Sequence, residues 1–242
     1  MNPIGHQIIH LEAVDSTNNY TANLIRAQEI MHGTVIMADV QTNGRGQRGT
    51  TWQSQPNQNL TASIFLEFTN FPVTKQVSIN HWITLGIRGA LEKMGLPAKI
   101  KWPNDIYVND QKICGILVEN TIGMSGIKHS VIGFGLNVNQ IDFESDKATS
   151  VHLLKGEQVE VRNVLDHILI ELNKYYPFLL ETQLYLRNEF HTHLWKINEK
   201  VSFREVDELK TGIIRGTNDI GRLEMEVDGV IQLYNLKEIQ FI

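Results

Sequence analysis

The stretch that decides the fold is residues 99–139, KIKWPNDIYVNDQKICGILVENTIGMSGIKHSVIGFGLNVN. Apolar and polar residues alternate over much of it, which is typical of half-buried β-strands. The Asn-Asp pair at 109–110 separates two such runs and predicts a tight turn between antiparallel strands. A further run, 127–139, contains Gly133 and Gly135, and glycines inside a strand indicate a bulge or a group that approaches the backbone closely.

The segments on either side of this stretch carry helix and strand patterns. We predict helices over 17–31, 78–94 and 162–193, the last interrupted near Pro177, and strands over 34–40 and 60–68. A polar, glycine-rich loop is expected over 41–59. After Trp195, short alternating strands and the Asp-Gly pair at 228–229 predict a meander that forms a small β-barrel.

The order of these elements predicts the fold class. Helices mixed with largely antiparallel strands, followed by a small all-β unit, fit an α+β protein better than a doubly wound parallel sheet. We expect a largely antiparallel or mixed sheet flanked by helices. The change in character near residue 194 predicts two domains, over residues 1–194 and 195–242.

The composition excludes several classes of protein. The 242 residues are 42% hydrophobic and 20% charged, and the net charge of −5 argues against a dominant nucleic-acid-binding surface. No apolar run approaches the roughly 18 residues that a transmembrane helix needs, and the first residues lack the order of a secretory signal. The single cysteine, Cys114, excludes an internal disulfide and favours a reducing, cytoplasmic location. His191 and His193 have no third ligand nearby in sequence, so we predict no resident metal.

The glycine–arginine loop at 44–49, GRGQRG, is the most conspicuous motif. It matches the G-x-G-x-x-G dinucleotide fingerprint, but that site needs a helix directly after the loop, and TTWQSQPN is a poor helix start. It also nearly matches the P-loop, except that Thr50 stands where a lysine must contact phosphates. Two interpretations stay open from this loop alone. Arg45 and Arg48 bind an anion, or they are solvated on a flexible surface loop.

The second motif is Lys101–Asp105, KWPND. The side-chain amide of Asn104 both donates and accepts hydrogen bonds and is suited to adenine. Taken alone, however, the motif favours a plain Pro-Asn-Asp turn with a packed tryptophan. Lys112 follows in a strand whose alternation places it on the same face as Cys114. An isolated lysine in a strand is usually solvated, so Lys112 alone does not indicate a functional site.

Together, these segments closely resemble biotin–protein ligases. The resemblance rests on Asp15-Ser16-Thr17-Asn18, Gln41 with the glycine–arginine loop and Trp52, the KWPND motif, Lys112 with Gly115, and the run 133–139, in this order. It covers about residues 10–242. It implies a class II synthetase-like biotin/lipoate ligase catalytic fold over 1–194 and an SH3-like β-barrel over 195–242.

The resemblance also implies a reaction. The family makes biotinyl-5′-AMP from biotin and ATP, with Mg²⁺, and releases pyrophosphate. It then transfers biotin to one lysine of a biotin carboxyl carrier protein, a subunit or domain of acetyl-CoA carboxylase. Family members are monomers or homodimers. Because the ligase motif begins at Asp15, we expect no room for a DNA-binding module and no DNA partner.

Residue roles follow from the same resemblance. Arg45 and Lys112 are implied as the catalytic cations, because they meet the biotin carboxylate, and Arg45 also meets the α-phosphate. Asp105 is a candidate for orienting the acceptor amine, or else a turn carboxylate that bonds local backbone. The biotin-site residues implied are Ser16, Thr17, Asn18, Gln41, Gly44, Arg45, Gly46, Gln47, Lys112, Gly115 and Gly133. The ATP or adenylate-site residues implied are Arg45, Arg48, Trp52, Asn104, Lys112 and Asn137.

Two departures from the family pattern and two rival functions complete the prediction. Many members have basic residues where this chain has Gln47 and Thr50, so we expect weaker retention of the adenylate.

The nearest rival is a lipoate–protein ligase. The rival from another class is a non-catalytic biotin sensor, against which Arg45 and Lys112 argue, since a sensor needs only the ring pocket.

Overall fold

The computed structural model describes residues 3–242, except for the side chain of Arg48. Its larger sheet has seven strands. These are β1 (Ile8–Val14), β2 (Val35–Gln41), β3 (Leu60–Phe71), β4 (Lys99–Lys101), β5 (Asp105–Val108), β6 (Gln111–Gly123) and β7 (Gly126–Leu136). Their order is β1-β2-β3-β7-β6-β5-β4, and every neighbouring pair is antiparallel except β1 and β2. The mixed sheet predicted from the sequence is confirmed.

Five helices accompany the sheet within the described residues. They are α1 (Thr17–Ala27), α2 (Val77–Lys93), α3 (Val151–Lys155), α4 (Val161–Leu180) and α5 (Gln183–Thr192). Helices α2 and α4 pack together, and α5 contacts both of them. Contacts with β3–β6 place α2 and α4 on one face of the sheet, whereas α1 lies against β2, β3 and β7. None of the described helices is long and apolar enough to cross a membrane.

Several predicted boundaries are wrong. Helix α1 ends at Ala27 rather than at residue 31, because Gln28 adopts a left-handed conformation (φ +60°) that turns the chain. Helix α4 continues through Pro177 to Leu180, since Leu172 and Leu179 keep its apolar face buried on both sides of the proline. The sequence patterns missed β1, a partly exposed strand at the sheet edge, and the short helix α3.

The tight turns were predicted correctly. Asn109 and Asp110 both have positive φ (50° and 63°), and their flanking residues pair as a two-residue hairpin. The Asp-Gly pair at 228–229 does the same between two strands of the smaller sheet. Such turns favour Asn, Asp and Gly because other residues enter this conformation at a steric cost.

The smaller sheet is antiparallel throughout. Its strands are β8 (Lys200–Glu205), β9 (Glu208–Thr217), β10 (Leu223–Val227), β11 (Val230–Tyr234) and β12 (Ile239–Phe241), in the order β11-β10-β9-β8-β12. Over residues 3–242 no pairing of β11 with β12 closes the sheet, so a closed SH3-like barrel stays a prediction.

The two sheets are joined at the edge strand β4. The Trp195 amide donates to the carbonyl of Ile100 (2.8 Å), and Leu194 forms a parallel bridge with the same residue. Buried residues of both sheets belong to one continuous apolar cluster. The domain division at residue 194 therefore stays a prediction.

Candidate active site

A cleft of about 290 Å³ lies over the face of the large sheet that α1 covers. Its walls come from segments distant in sequence: residues 16–18, 41–52, 103–105, 112–117, 133–135 and 236–237. The structure thus brings together most of the predicted site residues. Those lining the cleft are Ser16, Thr17, Asn18, Gln41, Arg45, Gly46, Gln47, Trp52, Asn104, Asp105, Lys112, Gly115 and Gly133.

A buried hydrogen-bond network forms the α1 end of the cleft. The backbone amide and the hydroxyl of Thr17 both donate to Oε1 of Gln41 (2.8 and 3.1 Å). Ser63 Oγ lies 2.7 Å from the hydroxyl of Thr17 and 2.6 Å from Oδ1 of Asn18. Gln41 thereby satisfies the first free amide of the helix, and the Ser16 side chain makes no cap hydrogen bond. This end therefore presents several oriented donors and acceptors at the cleft wall.

Glycines form the floor between α1 and the sheet. Gly115 pairs with Gly135 across β6 and β7, and Gly133 lies two residues back on the same face. A Cβ atom at Gly133 would overlap the amide oxygen of Asn18, and one at Gly135 would overlap the indole of Trp52. The absence of side chains at these positions therefore lets Asn18 and Trp52 pack directly against the sheet. The sequence patterns missed Gly135 as a site residue, although it is the next residue after Gly133 on the same face of β7.

Glu119 on β6 connects the polar end of the cleft to Arg45. Its carboxylate accepts two hydrogen bonds from the Arg45 guanidinium (2.6 and 3.2 Å) and one from the amide of Asn18 (2.7 Å). Arg45 also donates to Oδ1 of Asn19 (3.0 Å). The bidentate pair fixes the plane of the guanidinium. Sequence reasoning missed Glu119 and Ser63, because a single polar residue within an apolar strand has no motif of its own.

Lys112 and Asp105 form a second ion pair in the cleft. Nζ of Lys112 lies 2.8 Å from Oδ1 of Asp105 and 5.8 Å from the centre of the Trp52 ring. Asp105 lies on β5 opposite Gly115, so the pair sits beside the glycine floor. The indole Nε1 of Trp52 is buried, and within the described residues it has no hydrogen-bond partner.

The remaining predicted residues lie at or behind the walls. Asn104 donates to the carbonyl of Ile116 and is buried. Asn137 donates to the carbonyl of Thr149 (2.9 Å) and does not line the cleft, nor does Gly44, where a Cβ would overlap the carbonyl of Trp52. The side chain of Arg48 lies outside the described residues.

Two residues of the KWPND motif contact the smaller sheet and its flanking residues. The Trp102 indole donates to the carbonyl of Gly221 (2.9 Å). The ammonium of Lys101 lies 4.4 Å from the ring centre of Tyr107 and 4.8 Å from that of Trp195, and burial lowers its pKa. These contacts anchor the segment that carries Asn104 and Asp105.

Neither Cys114 nor a cluster of metal ligands adds a reactive group to the described part of the molecule. Burial raises the pKa of the Cys114 thiol, which agrees with a structural rather than a nucleophilic residue. Within residues 3–242 no group of three or more His, Cys, Asp or Glu side chains could hold a metal ion. The groups available for chemistry in the cleft include Arg45 and Lys112, their carboxylate partners and the polar network.

Comparisons with known proteins agree with this geometry. The family model for the biotin/lipoate A/B protein ligase family matches residues 11–137. The chain is 30% identical over 238 residues to the bifunctional ligase/repressor BirA of Escherichia coli, covering 94% of this chain and 72% of that protein. It is 26% identical over 232 residues to the biotin–[acetyl-CoA-carboxylase] ligase of Mycobacterium tuberculosis, covering 90% and 84%.

A solved structure with bound substrates is also similar. The biotin protein ligase of Aquifex aeolicus in complex with biotin and ATP superposes with a TM-score of 0.80 at 25% identity, covering 98% of this chain and 99% of that one. The family model spans just over half of the chain, and the fold similarity covers nearly all of it. The chain therefore belongs to the biotin/lipoate A/B protein ligase family.

Proposed function

We propose that this protein is an ATP-dependent biotin–protein ligase. It joins biotin to ATP to form biotinyl-5′-AMP and then transfers the biotinyl group to a lysine of a biotin carboxyl carrier protein. The observation that carries this proposal is the cleft itself. A buried network of hydroxyl and amide groups at one end faces two cations, Arg45 and Lys112, that are held in place by carboxylates.

The first step requires two anions to meet. A carboxylate oxygen of biotin attacks the α-phosphorus of ATP, and the bond to the bridging oxygen breaks, so that pyrophosphate leaves with the electron pair. Arg45 and Lys112 offset the repulsion and stabilise the charge that develops on the α-phosphate. Their ion pairs with Glu119 and Asp105 preorganise them. We propose that Mg²⁺ enters with ATP and neutralises part of the triphosphate charge.

The second step uses no protein nucleophile. The ε-amine of the acceptor lysine loses a proton and attacks the acyl carbon, and AMP leaves as the C–O bond breaks. Asp105 is positioned in the cleft as an ion-pair partner of Lys112, with its nearest oxygen 2.8 Å away. We propose that this carboxylate orients the incoming amine by accepting a hydrogen bond from it.

The chemistry of the α1 end supports biotin over lipoate. A ureido ring carries two N–H donors and a carbonyl acceptor, which match the hydroxyl and amide groups of Ser16, Thr17 and Gln41. The dithiolane ring of lipoate offers neither an N–H donor nor a carbonyl acceptor to these groups. A sensor that only binds biotin has no use for the Lys112–Asp105 pair.

The partner, the assembly and the location belong to the same proposal. The acceptor is a carrier protein of acetyl-CoA carboxylase, and the enzyme works as a monomer or homodimer. The lone, buried Cys114 is compatible with the reducing cytoplasm.

Exchange of labelled pyrophosphate into ATP tests the proposal. We expect exchange with biotin and none with lipoate or with no acid. Arg45→Gln should lower the rate by about 10³-fold, because one cation at the transition state is lost. Arg26→Gln, on the exposed part of α1, is the matched control and should leave the rate unchanged. Exchange that depends on lipoate, or biotin binding without exchange, would contradict the proposal.

A further inference from the structure

The smaller sheet contributes one charged residue to the cleft. Lys237, between β11 and β12, lines the cleft together with Leu236. The ring-binding network lies where α1 contacts β2, β3 and β7, whereas the smaller sheet joins the large one at β4, at the opposite edge. Lys237 therefore belongs to the end of the cleft that is far from the α1 network.

The backbone at Lys237 has a conformation that glycine normally provides. The amide of Glu238 donates to the carbonyl of Asn235 (3.2 Å), which closes a four-residue turn. Lys237 is the third residue of this turn and has φ +72°. The third position of a type II turn needs a positive φ and favours glycine or asparagine. A bulky residue held there at the wall of a cleft points to a role for its side chain.

The charges in the cleft show what Lys237 adds. Arg45 and Lys112 are each paired with a carboxylate, which offsets part of their positive charge. The loop residues Gln47 and Thr50, which line the same cleft, are neutral. For Lys237, by contrast, the described residues provide no ion pair and no hydrogen bond to its ammonium group. ATP brings a polyanion into the cleft, and an ammonium group without a carboxylate partner among the described residues complements that charge.

We propose that Lys237 is a nucleotide-binding residue that contacts the β- or γ-phosphate of ATP. This assignment rests on the proposed function in taking ATP as the nucleotide. The acid occupies the α1 end, so the nucleotide extends toward the turn at 235–238, and an ammonium group selects phosphate oxygens over the adenine ring. The smaller sheet thereby adds a cation to those that Arg45 and Lys112 bring to the cleft.

The test compares nucleotide affinities of three variants by calorimetric titration. Lys237→Gly removes the cation and keeps a backbone that glycine adopts freely, Lys237→Arg keeps the charge, and Lys196→Gly is the matched control. Lys196 is also a lysine with positive φ (53°) beside the smaller sheet, but it does not line the cleft. The probes are α,β-methylene-ATP and AMP, each titrated with and without biotinol, an alcohol that cannot be adenylated.

We expect Lys237→Gly to bind α,β-methylene-ATP about tenfold more weakly and AMP within about twofold of the wild type. Lys237→Arg should restore most of the affinity, and Lys196→Gly should not change it. Unchanged affinity for the ATP analogue, or equal losses for both nucleotides, would overturn the assignment. Wild-type protein that binds the analogue but shows no biotin-dependent pyrophosphate exchange would overturn the proposed function alone. Wild-type protein that binds neither nucleotide would overturn both.

Discussion

The two faces of strands β3 and β7 differ in chemistry where the strands meet α1, although consecutive residues of the same segments build them. Ile64 and Ile132 are fully buried in the apolar cluster beneath helices α2 and α4. Their neighbours Ser63 and Gly133 face α1, where Ser63 supplies a hydroxyl to Thr17 and Asn18 and Gly133 leaves room for the Asn18 side chain. Because side chains alternate along a strand, one residue step separates a position that stabilises the fold from one that binds a ligand.

This comparison explains why the floor of the cleft contains glycines. The α1 side chains Thr17 and Asn18 lie directly over β3 and β7, so any side chain on that face at position 133 would displace them. The opposite face has the reverse requirement, because an empty position there would leave a cavity. The following predictions test this separation of roles, from the largest expected effect to the smallest.

The core face should control stability alone. Ile64→Ala should lower the free energy of unfolding by about 2–5 kcal/mol, because it leaves a cavity under α4. Urea denaturation followed by circular dichroism measures the change. The biotin KM of the remaining folded protein should match that of the wild type. A large rise in KM without loss of stability would show that the two faces are not separate.

The site face should control binding with little effect on stability. Gly133→Ala should lower kcat/KM for biotin in pyrophosphate exchange by about 100-fold, because the new methyl group displaces the Asn18 amide and misplaces the ring. Gly123→Ala is the matched control, since a Cβ there meets only ordinary contacts at 3.7 Å or more, at the turn end of the same hairpin. Equal losses in the two variants would contradict the assigned floor.

A titratable group on the core side should make stability, rather than binding, depend on pH. Burial lowers the pKa of His81 to about 3, with His191 and Arg187 adding to the effect, and within the described residues its Nδ1 has no hydrogen-bond partner. As pH falls below about 6.5, the unfolded chain binds a proton that the folded chain refuses, so stability is lost. From pH 7.5 to pH 5 this residue should cost about 2 kcal/mol.

His81→Phe should remove that part of the pH dependence. We expect the variant to lose about 2 kcal/mol less than the wild type when urea unfolding at pH 7.5 and at pH 5 is compared. His167→Phe, on the exposed part of α4, should follow the wild-type curve. Identical pH dependence in all three proteins would mean that His81 titrates normally in the folded state.

The smallest effect is expected from a single hydroxyl of the polar network. Ser63→Ala should raise the Kd for biotin about fivefold, or by about 1 kcal/mol, because Thr17 and Asn18 lose the group that orients them. Ser130→Ala removes a comparable buried hydrogen bond, to Asn120, away from the cleft. Titration calorimetry should show weaker biotin binding for the first variant only. Equal Kd values would show that the network does not orient the ring site.

The sequence predicted those parts of the molecule that depend on local chemistry. The turn at 109–110 formed as expected, because Asn and Asp tolerate positive φ. The resemblance named Gly115, Gly133, Arg45 and Lys112, all of which line the cleft. Strand alternation wrongly placed Lys112 on the face of Cys114. A register shift between β5 and β6 brings Lys112 into the cleft while Cys114 is buried in the core. The edge strand β1 was missed, since its pairing with β2 depends on a partner whose position the local pattern does not give.

By itself, the sequence determined the turns, the alternation of faces and the identity of the charged groups, since these follow from backbone preferences and from spacing along one segment. Only the tertiary structure decided which groups meet. Glu119 binds Arg45 from 74 positions away, and Lys237 enters the cleft from a separate sheet. Such contacts depend on the order of strands across a sheet, and strand order is set by the packing of the whole chain rather than by any local pattern.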